Sequence, residues 1–109
     1  MVSGWEIVEE ASYARSVAEI HEILAHLDEA VAPLDYALHR NPEGFPQVPG
    51  IDGILLAKTS IRFVGTRVIP SLKLWFRIDR GARRVHKLWL AVSRPEEMEY
   101  WNADGDGIV

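Results

Sequence analysis

The sequence predicts an α+β domain in which a small antiparallel sheet is covered on one face by a helical hairpin or by one kinked helix. Two periodicities carry this prediction. Apolar residues recur at steps of three and four through residues 17–38, which is typical of one buried helical face. Three later segments alternate apolar and polar residues and are rich in β-branched and aromatic side chains, as strands are. The predicted order is therefore β-α-α-β-β-β, and 109 residues suffice for one such domain.

The first predicted elements are a short strand and the helical run. The stretch "WEIVEE" alternates apolar and polar residues, which favours a half-buried strand. Ser16 and Glu19 have the spacing of a capping box, so we expect a helix to begin near Ser16. Pro33 has no backbone N–H to donate, so the run is either two helices that meet near residues 28–32 or one kinked helix. Prolines and glycines in residues 41–50 then predict a loop.

Three strands are predicted after the loop, at residues 54–64, 72–79 and 84–92, joined by short turns. Strict alternation gives the last two strands one apolar face, made of Leu72, Leu74, Phe76, Ile78, His86, Leu88, Leu90 and Val92. The opposite face then carries Lys73, Trp75, Arg77, Lys87 and Trp89. If the helices cover the apolar face, a basic surface with two tryptophans remains on the other side.

Charge is strongly segregated along this chain, whose net charge is only -4. Residues 58–94 hold ten lysines and arginines and one acid, a net charge of +9, while the other two basic residues and 15 acids give -13. A clustered cationic surface attracts phosphate groups even on an acidic molecule. Because aromatic planes also stack on exposed bases, this face suits RNA. The alternative is an ordinary solvated sheet face.

Composition excludes several classes of site. Without cysteine, the chain can form neither a disulfide nor a thiolate metal site, and it has no catalytic thiol. Glu22 and His26 are four residues apart, but one pair lacks the further ligands of a zinc site, so no metal and no other cofactor are expected. We also expect no membrane contact and a cytoplasmic location, because the sequence shows neither a signal peptide nor an apolar stretch of bilayer length.

The second half of the sequence resembles a known family. "ALHRNPEG", "VPGIDG" and above all "VIPSLKLWFRIDRGARRVHKLWLAVSRPEE" resemble the RelE/ParE superfamily of toxins from bacterial type II toxin-antitoxin systems. In that family a strand of the type "LRVxYxID" is followed by a charged turn and an apolar strand. The resemblance covers most of residues 5–101 and is specific over 70–97. It implies one RelE/ParE-like domain at residues 1–101, followed by an acidic flexible tail at 102–109.

The resemblance implies the toxin component of such a system, and more specifically a ribosome-dependent mRNA endoribonuclease that inhibits translation. These enzymes activate a ribose 2′-hydroxyl to attack the adjacent phosphate, which requires cations and a proton-exchanging group but no metal. The residues that this chemistry assigns to catalysis are Lys73, Arg77, Arg94 and Tyr100. His86 is a second candidate for proton exchange, although alternation places it on the apolar face. The residues assigned to RNA binding are Lys58, Arg62, Trp75, Lys87 and Trp89.

The partners implied by the resemblance are a cognate antitoxin protein and, for the enzyme, mRNA and the ribosome. A homodimer is left open. The alternative hypothesis is a non-catalytic protein of the same fold that acts by protein binding, either as a gyrase-type inhibitor or as a degenerate toxin. The two hypotheses differ in whether growth inhibition is accompanied by RNA cleavage.

Overall fold

The computed structural model describes residues 4–21 and 27–92. Its helices and strands, in chain order, are β1 (Glu6–Glu9), α1 (Ala11–His21), α2 (Leu27–Arg40), a short 3-10 turn (Pro42–Gly44), β2 (Leu55–Lys58), β3 (Arg62–Val64), β4 (Arg67–Ile69), β5 (Leu72–Asp79) and β6 (Arg84–Val92). The predicted α+β class is confirmed. The segments at 22–26 and 93–109 lie outside the described residues, and with them the Glu22–His26 pair and the predicted tail at 102–109.

Four strands form the main sheet in the order β1-β6-β5-β2. β5 pairs antiparallel with both β6 and β2, as the predicted hairpin requires, whereas β1 lies parallel to β6. A parallel neighbour needs a crossover connection, and here the whole chain between β1 and β6 separates the two strands. The first and last strands of the described fold are therefore adjacent.

The two helices cover one face of this sheet. Their buried side chains, among them Tyr13, Ile20, Leu34 and Leu38, form one core cluster with side chains of β2, β5 and β6, including Leu74. The predicted apolar face of β5 is confirmed, because Leu72, Leu74 and Phe76 are all 0% exposed. The opposite face of the sheet, which points away from α1 and α2, is called the far face below.

The prediction that one strand spans residues 54–64 is wrong. β2 ends at Lys58, and β3 pairs with β4 in a separate two-stranded ribbon. Thr59 causes the change of direction: its hydroxyl accepts a hydrogen bond from Leu72 N at 2.8 Å, and its carbonyl accepts one from the Ser71 hydroxyl. Thr59 N still donates to Leu72 O at 2.9 Å, but the Thr59 hydroxyl takes the place of the Thr59 carbonyl as the acceptor for Leu72 N, and the chain leaves the main sheet here.

A loop covers the outer edge of β2. Leu56 N donates to Pro46 O at 3.0 Å, and Val48 N donates to Ile54 O at 2.8 Å. Gln47 forms an isolated antiparallel bridge with Leu55. The proline-rich segment that the sequence predicts as a loop thus satisfies backbone groups at the edge of the sheet.

The predicted helix start at Ser16 is also wrong. α1 begins at Ala11, and its first described helical hydrogen bond runs from Ala14 N to Glu10 O. Ser16 is 1% exposed and lies inside the helix. Its hydroxyl donates to Tyr13 O at 2.7 Å and accepts from Leu90 N at 2.9 Å. The serine therefore bridges α1 to β6 and does not cap a helix.

Pro33 neither begins nor ends a helix. It lies inside α2, which runs from Leu27 to Arg40 and is separated in the chain from α1. Of the two sequence alternatives, two helices are present, but the second begins before the predicted junction at residues 28–32. The apolar side chains of α2 still follow the predicted stripe, since Leu27, Val31, Leu34 and Leu38 are buried. Burial of that stripe outweighs the single backbone bond that the proline removes.

A β-bulge in β6 alters the predicted facing of its side chains. Trp75 is paired with Trp89, but the next residue of β5, Phe76, is paired with Lys87, which leaves Leu88 without a partner in β5. Alternation therefore reverses at Leu88. The predicted facing is therefore wrong for the residues of β6 that precede Leu88: Lys87 lies on the helix-covered face and is 0% exposed, as is Val85, and His86 lies opposite Arg77 on the far face.

Ser16→Ala is expected to lower the free energy of unfolding by about 1–3 kcal/mol, because the buried Leu90 N–H loses its hydrogen-bond acceptor. Urea denaturation of wild type and variant measures the difference. The matched control is Ser60→Ala at an exposed position, where we expect a change within about 0.5 kcal/mol. Equal losses in the two variants would contradict the bridging role of Ser16.

Candidate active site

Three charged side chains meet on the far face where β1 ends beside β6. His86 Nδ1 lies 2.7 Å from Glu10 Oε1, and Arg77 Nη2 lies 3.8 Å from the same oxygen. Glu10 directly follows β1, and Arg77 and His86 are opposite each other in the β5–β6 pair. We call these residues the Glu10–His86–Arg77 cluster. It combines a carboxylate, an imidazole and a guanidinium from three elements.

The hydrogen bond within the cluster assigns the roles of the two imidazole nitrogens. An ionised carboxylate only accepts hydrogen bonds, so His86 Nδ1 is the protonated nitrogen and donates the hydrogen bond to Glu10. Nε2 is then the nitrogen that accepts or releases a proton. The cluster is accessible from solvent, since the side chains of His86, Glu10 and Arg77 are 14%, 37% and 48% exposed. This arrangement can exchange a proton beside a cation.

Two tryptophans lie next to the cluster. Trp75 and Trp89 are directly paired across β5 and β6, which places both on the far face. Trp89 is 38% exposed, and the ammonium nitrogen of Lys73 lies 5.5 Å from the centre of the Trp75 ring. A partly exposed aromatic pair with a neighbouring cation can stack on planar groups and hold an anion beside them.

Four of the nine predicted site residues are brought together on the far face: Lys73, Trp75, Arg77 and Trp89. Lys58 is paired with Lys73 across β2 and β5, but it is only 3% exposed. Arg62 belongs to the separate β3–β4 ribbon.

Of the three remaining predicted residues, Lys87 is buried on the reverse side of the sheet. Arg94 and Tyr100 lie outside the described residues.

The segregation of charge in the sequence does not persist in three dimensions. Basic residues of the second half of the chain pair with acids of the first half, in the pairs Arg77–Glu10, Arg80–Glu43, Arg84–Glu6 and Lys87–Asp35. The sheet brings the two halves together because β1 lies beside β6. The far face is accordingly less cationic than the net charge of +9 for residues 58–94 suggests.

Lys87 is the buried cation of a polar cluster on the helix-covered side of the sheet, whose two carboxylates, Glu9 and Asp35, are 59% and 42% exposed. Its Nζ lies 2.7 Å from Asp35 Oδ1, 3.4 Å from Glu9 Oε2 and 4.1 Å from the centre of the Tyr13 ring. Burial acts to lower the pKa of Lys87, but hydrogen bonds to Asp35 and Tyr13 outweigh it, so the pKa is raised. Burial also raises the pKa of Tyr13, against the opposing influence of Lys87. Both effects keep Lys87 protonated and Tyr13 neutral.

The sequence pattern does not indicate Glu10, and it predicts the wrong face for His86. The sequence shows only that Glu10 is a carboxylate between a predicted strand and a helix. Its partner His86 lies 76 residues away, on the strand that pairs in parallel with β1. The facing of His86 depends on the bulge at Leu88, which strict alternation does not reveal.

Residues 4–21 and 27–92 contain no group of three or more histidines, aspartates or glutamates arranged to hold a metal ion. None of the helices in these ranges is long and apolar enough to cross a bilayer.

Comparison with known proteins identifies the architecture. No protein-family model matches the sequence, and no curated protein matches it. A solved structure of the E. coli toxin RelE, a double arginine-to-alanine mutant in the free state, matches with a TM-score of 0.54 at 10% sequence identity. The match covers 94% of this chain and 97% of the RelE chain. This chain has a RelE-like fold. The fold expected from the hairpin motif is thereby confirmed.

The buried cluster predicts a loss of stability at alkaline pH. The pKa values of Lys87 and Tyr13 are raised above their usual 10.5 and 10.0. The unfolded chain therefore releases both protons at lower pH than the RelE-like fold does, and stability present at neutral pH is lost as pH rises through the folded-state values. The double variant Lys87→Met with Tyr13→Phe lacks both titrating groups, so urea denaturation at about pH 8 and about pH 11 should show a smaller loss for it than for wild type. Equal losses would contradict this assignment.

Proposed function

We propose that this chain is the toxin of a toxin-antitoxin system and that it acts as a metal-independent endoribonuclease on mRNA at the ribosome. The observation that carries the proposal is the Glu10–His86–Arg77 cluster, which lies beside a tryptophan pair on the far face of a RelE-like sheet. The structural similarity to a RelE toxin supports the toxin class. The cluster supports the enzymatic form of the hypothesis.

The far face offers a distinct contact to each chemical part of an RNA strand. Trp75 and Trp89 would stack on unpaired bases, because aromatic planes accept any base. Lys73 lies over the Trp75 ring and would reach the phosphate next to a stacked base. Arg77 can bind phosphate oxygens in a bidentate manner. This combination suits a single strand better than a duplex, whose bases are already stacked.

The proposed reaction begins at a ribose 2′-hydroxyl. His86 Nε2 accepts the hydroxyl proton while the 2′-oxygen attacks the adjacent phosphorus. Arg77 stabilises the additional negative charge on the pentavalent phosphorane, and Glu10 stabilises the imidazolium that forms. The bond from phosphorus to the 5′-oxygen then breaks, and that oxygen receives a proton from the imidazolium. The products are a 2′,3′-cyclic phosphate and a 5′-hydroxyl.

The other residues implied by the family resemblance have supporting roles in this proposal. Lys73 and Arg94 are further cations for the phosphorane, and Tyr100 is an alternative proton-exchanging group. The cognate antitoxin would neutralise the protein by denying RNA access to the far face. Coexpression of a candidate antitoxin with the toxin tests this part of the proposal.

His86→Asn is expected to lower RNA cleavage by about 10²–10⁴-fold, because it removes the proton-exchanging nitrogen. Arg77→Ala should lower it by about 10²–10³-fold through loss of charge stabilisation. Purified protein is incubated with translating ribosomes, and cleavage sites are mapped by primer extension. Circular dichroism verifies that each variant is folded. The matched control is Arg80→Ala, which removes an exposed arginine paired with Glu43 and should leave cleavage unchanged.

Full cleavage by folded His86→Asn would contradict the assigned site. Translation or growth inhibition by the wild type without RNA cleavage would instead favour the non-catalytic hypothesis, in which the far face binds a protein.

A further inference from the structure

Lys87 is a fully buried cation at the junction of three elements. It contacts Asp35 of α2, Tyr13 of α1 and Glu9 of β1, and it is 0% exposed. Removing an ammonium group from water carries a large desolvation cost, which its ion pairs offset only with good geometry. An apolar side chain of similar length would fill the same space without that cost. Filling the core therefore does not by itself explain a lysine at this position.

Lys87 is adjacent in sequence to the proposed catalytic histidine, and its partner Glu9 is adjacent to Glu10. In the parallel β1–β6 pair, Glu9 is in register with Lys87 on the buried side, while Glu10 reaches His86 on the far face. Glu10 N also donates to Lys87 O at 3.1 Å. The end of β1 is thus held by both the side chain and the backbone of Lys87.

The bulge makes this attachment important for the site. Leu88, which has no partner in β5, follows Lys87 directly, and β1 ends at Glu9. Near His86, the pairing of β6 with β5 is therefore interrupted at Leu88, and its pairing with β1 ends at Glu9. A slip of β1 by one residue would exchange the faces of Glu9 and Glu10. In the observed register, a carboxylate on each face meets a basic partner, and the buried partner is Lys87.

We propose that Lys87 is a positioning residue for His86. Its buried ammonium, bound to Asp35 and Glu9, fixes the end of β1 and thereby the position of the Glu10 carboxylate. Glu10 then accepts a hydrogen bond from the Nδ1–H of His86, and Nε2 remains free to exchange protons. Lys87 touches no substrate and acts only through Glu10. The inference rests on the proposed function of His86, but the tautomer of that histidine can be measured in the absence of RNA.

The decisive variant is the double substitution Lys87→Met with Asp35→Leu. It removes both partners of the Lys87–Asp35 pair together, so that the buried site does not lose one charge while the other remains. Nitrogen chemical shifts of His86, measured by NMR at a pH where the ring is neutral, report the fraction protonated at Nδ1. We expect this fraction to fall by about half or more, since a loosened Glu10 no longer selects the tautomer. RNA cleavage should fall by about 10²-fold.

Arg84→Met is the matched control. It removes the cation of the exposed Glu6–Arg84 pair, 3.4 Å long, on the same two strands. We expect the wild-type tautomer and wild-type cleavage in this variant. If the double variant does not fold, Asp35→Asn keeps the volume of the side chain and weakens the hold on the ammonium, and the Nδ1-protonated fraction should fall in the same direction.

A folded double variant with the wild-type tautomer and cleavage would overturn the inference, as would the wild-type tautomer in Asp35→Asn if the double variant is unfolded. Failure of the proposed function has a different signature. Wild-type protein would not cleave RNA, whereas the tautomer would still change between wild type and the double variant.

Discussion

The bulge at Leu88 determines which side chains of the last strand meet the core and which meet solvent. Without it, strict alternation would direct His86 toward the helices and expose Lys87. Beyond the end of β1, serine hydroxyls of α1 bond the backbone groups of β6 at and after the bulge. Ser12 Oγ donates to Leu88 O at 2.6 Å, and Ser16 Oγ accepts from Leu90 N at 2.9 Å. The first helix and the irregular strand therefore depend on each other, and the site depends on both.

Parallel pairing of β1 with β6 gives the molecule its electrostatic organisation. The acids of the first half of the chain lie beside the basic residues of the second half, so charges that are segregated in sequence are paired in space. Most of these pairs are exposed and contribute little to stability, as exposed ion pairs generally do. Two consecutive glutamates serve different ends: Glu9 faces a buried ammonium and Glu10 faces an imidazole. These two neighbouring glutamates therefore lie in different chemical environments, on opposite sides of the β1–β6 pair.

Much of the fold could be predicted from the sequence, because its signals are local. The apolar stripe of α2 and the alternation of β5 depend on periodicity, and both are found as predicted. The errors arise where a nonlocal contact overrides a local pattern. Ser16 resembles a helix cap but bonds to β6, and the extended pattern after Lys58 is interrupted because Thr59 bonds to the start of β5. Among the site residues, those of β5 lie where alternation places them. His86 and Glu10 require knowledge of the bulge and of the β1–β6 pairing.

The loop that covers the outer edge of β2 has a consequence for self-association. An uncovered edge strand presents unpaired amides and carbonyls on which another chain can extend the sheet, which is a common route to aggregation. Here the Leu56 amide donates to Pro46 O, and Gln47 forms a β-bridge with Leu55. A proline-rich loop does not readily pair with a further strand, because proline has no backbone N–H to donate. Partners that approach this side must recognise side chains rather than backbone. The loop thus blocks this edge of the sheet to intermolecular strand addition.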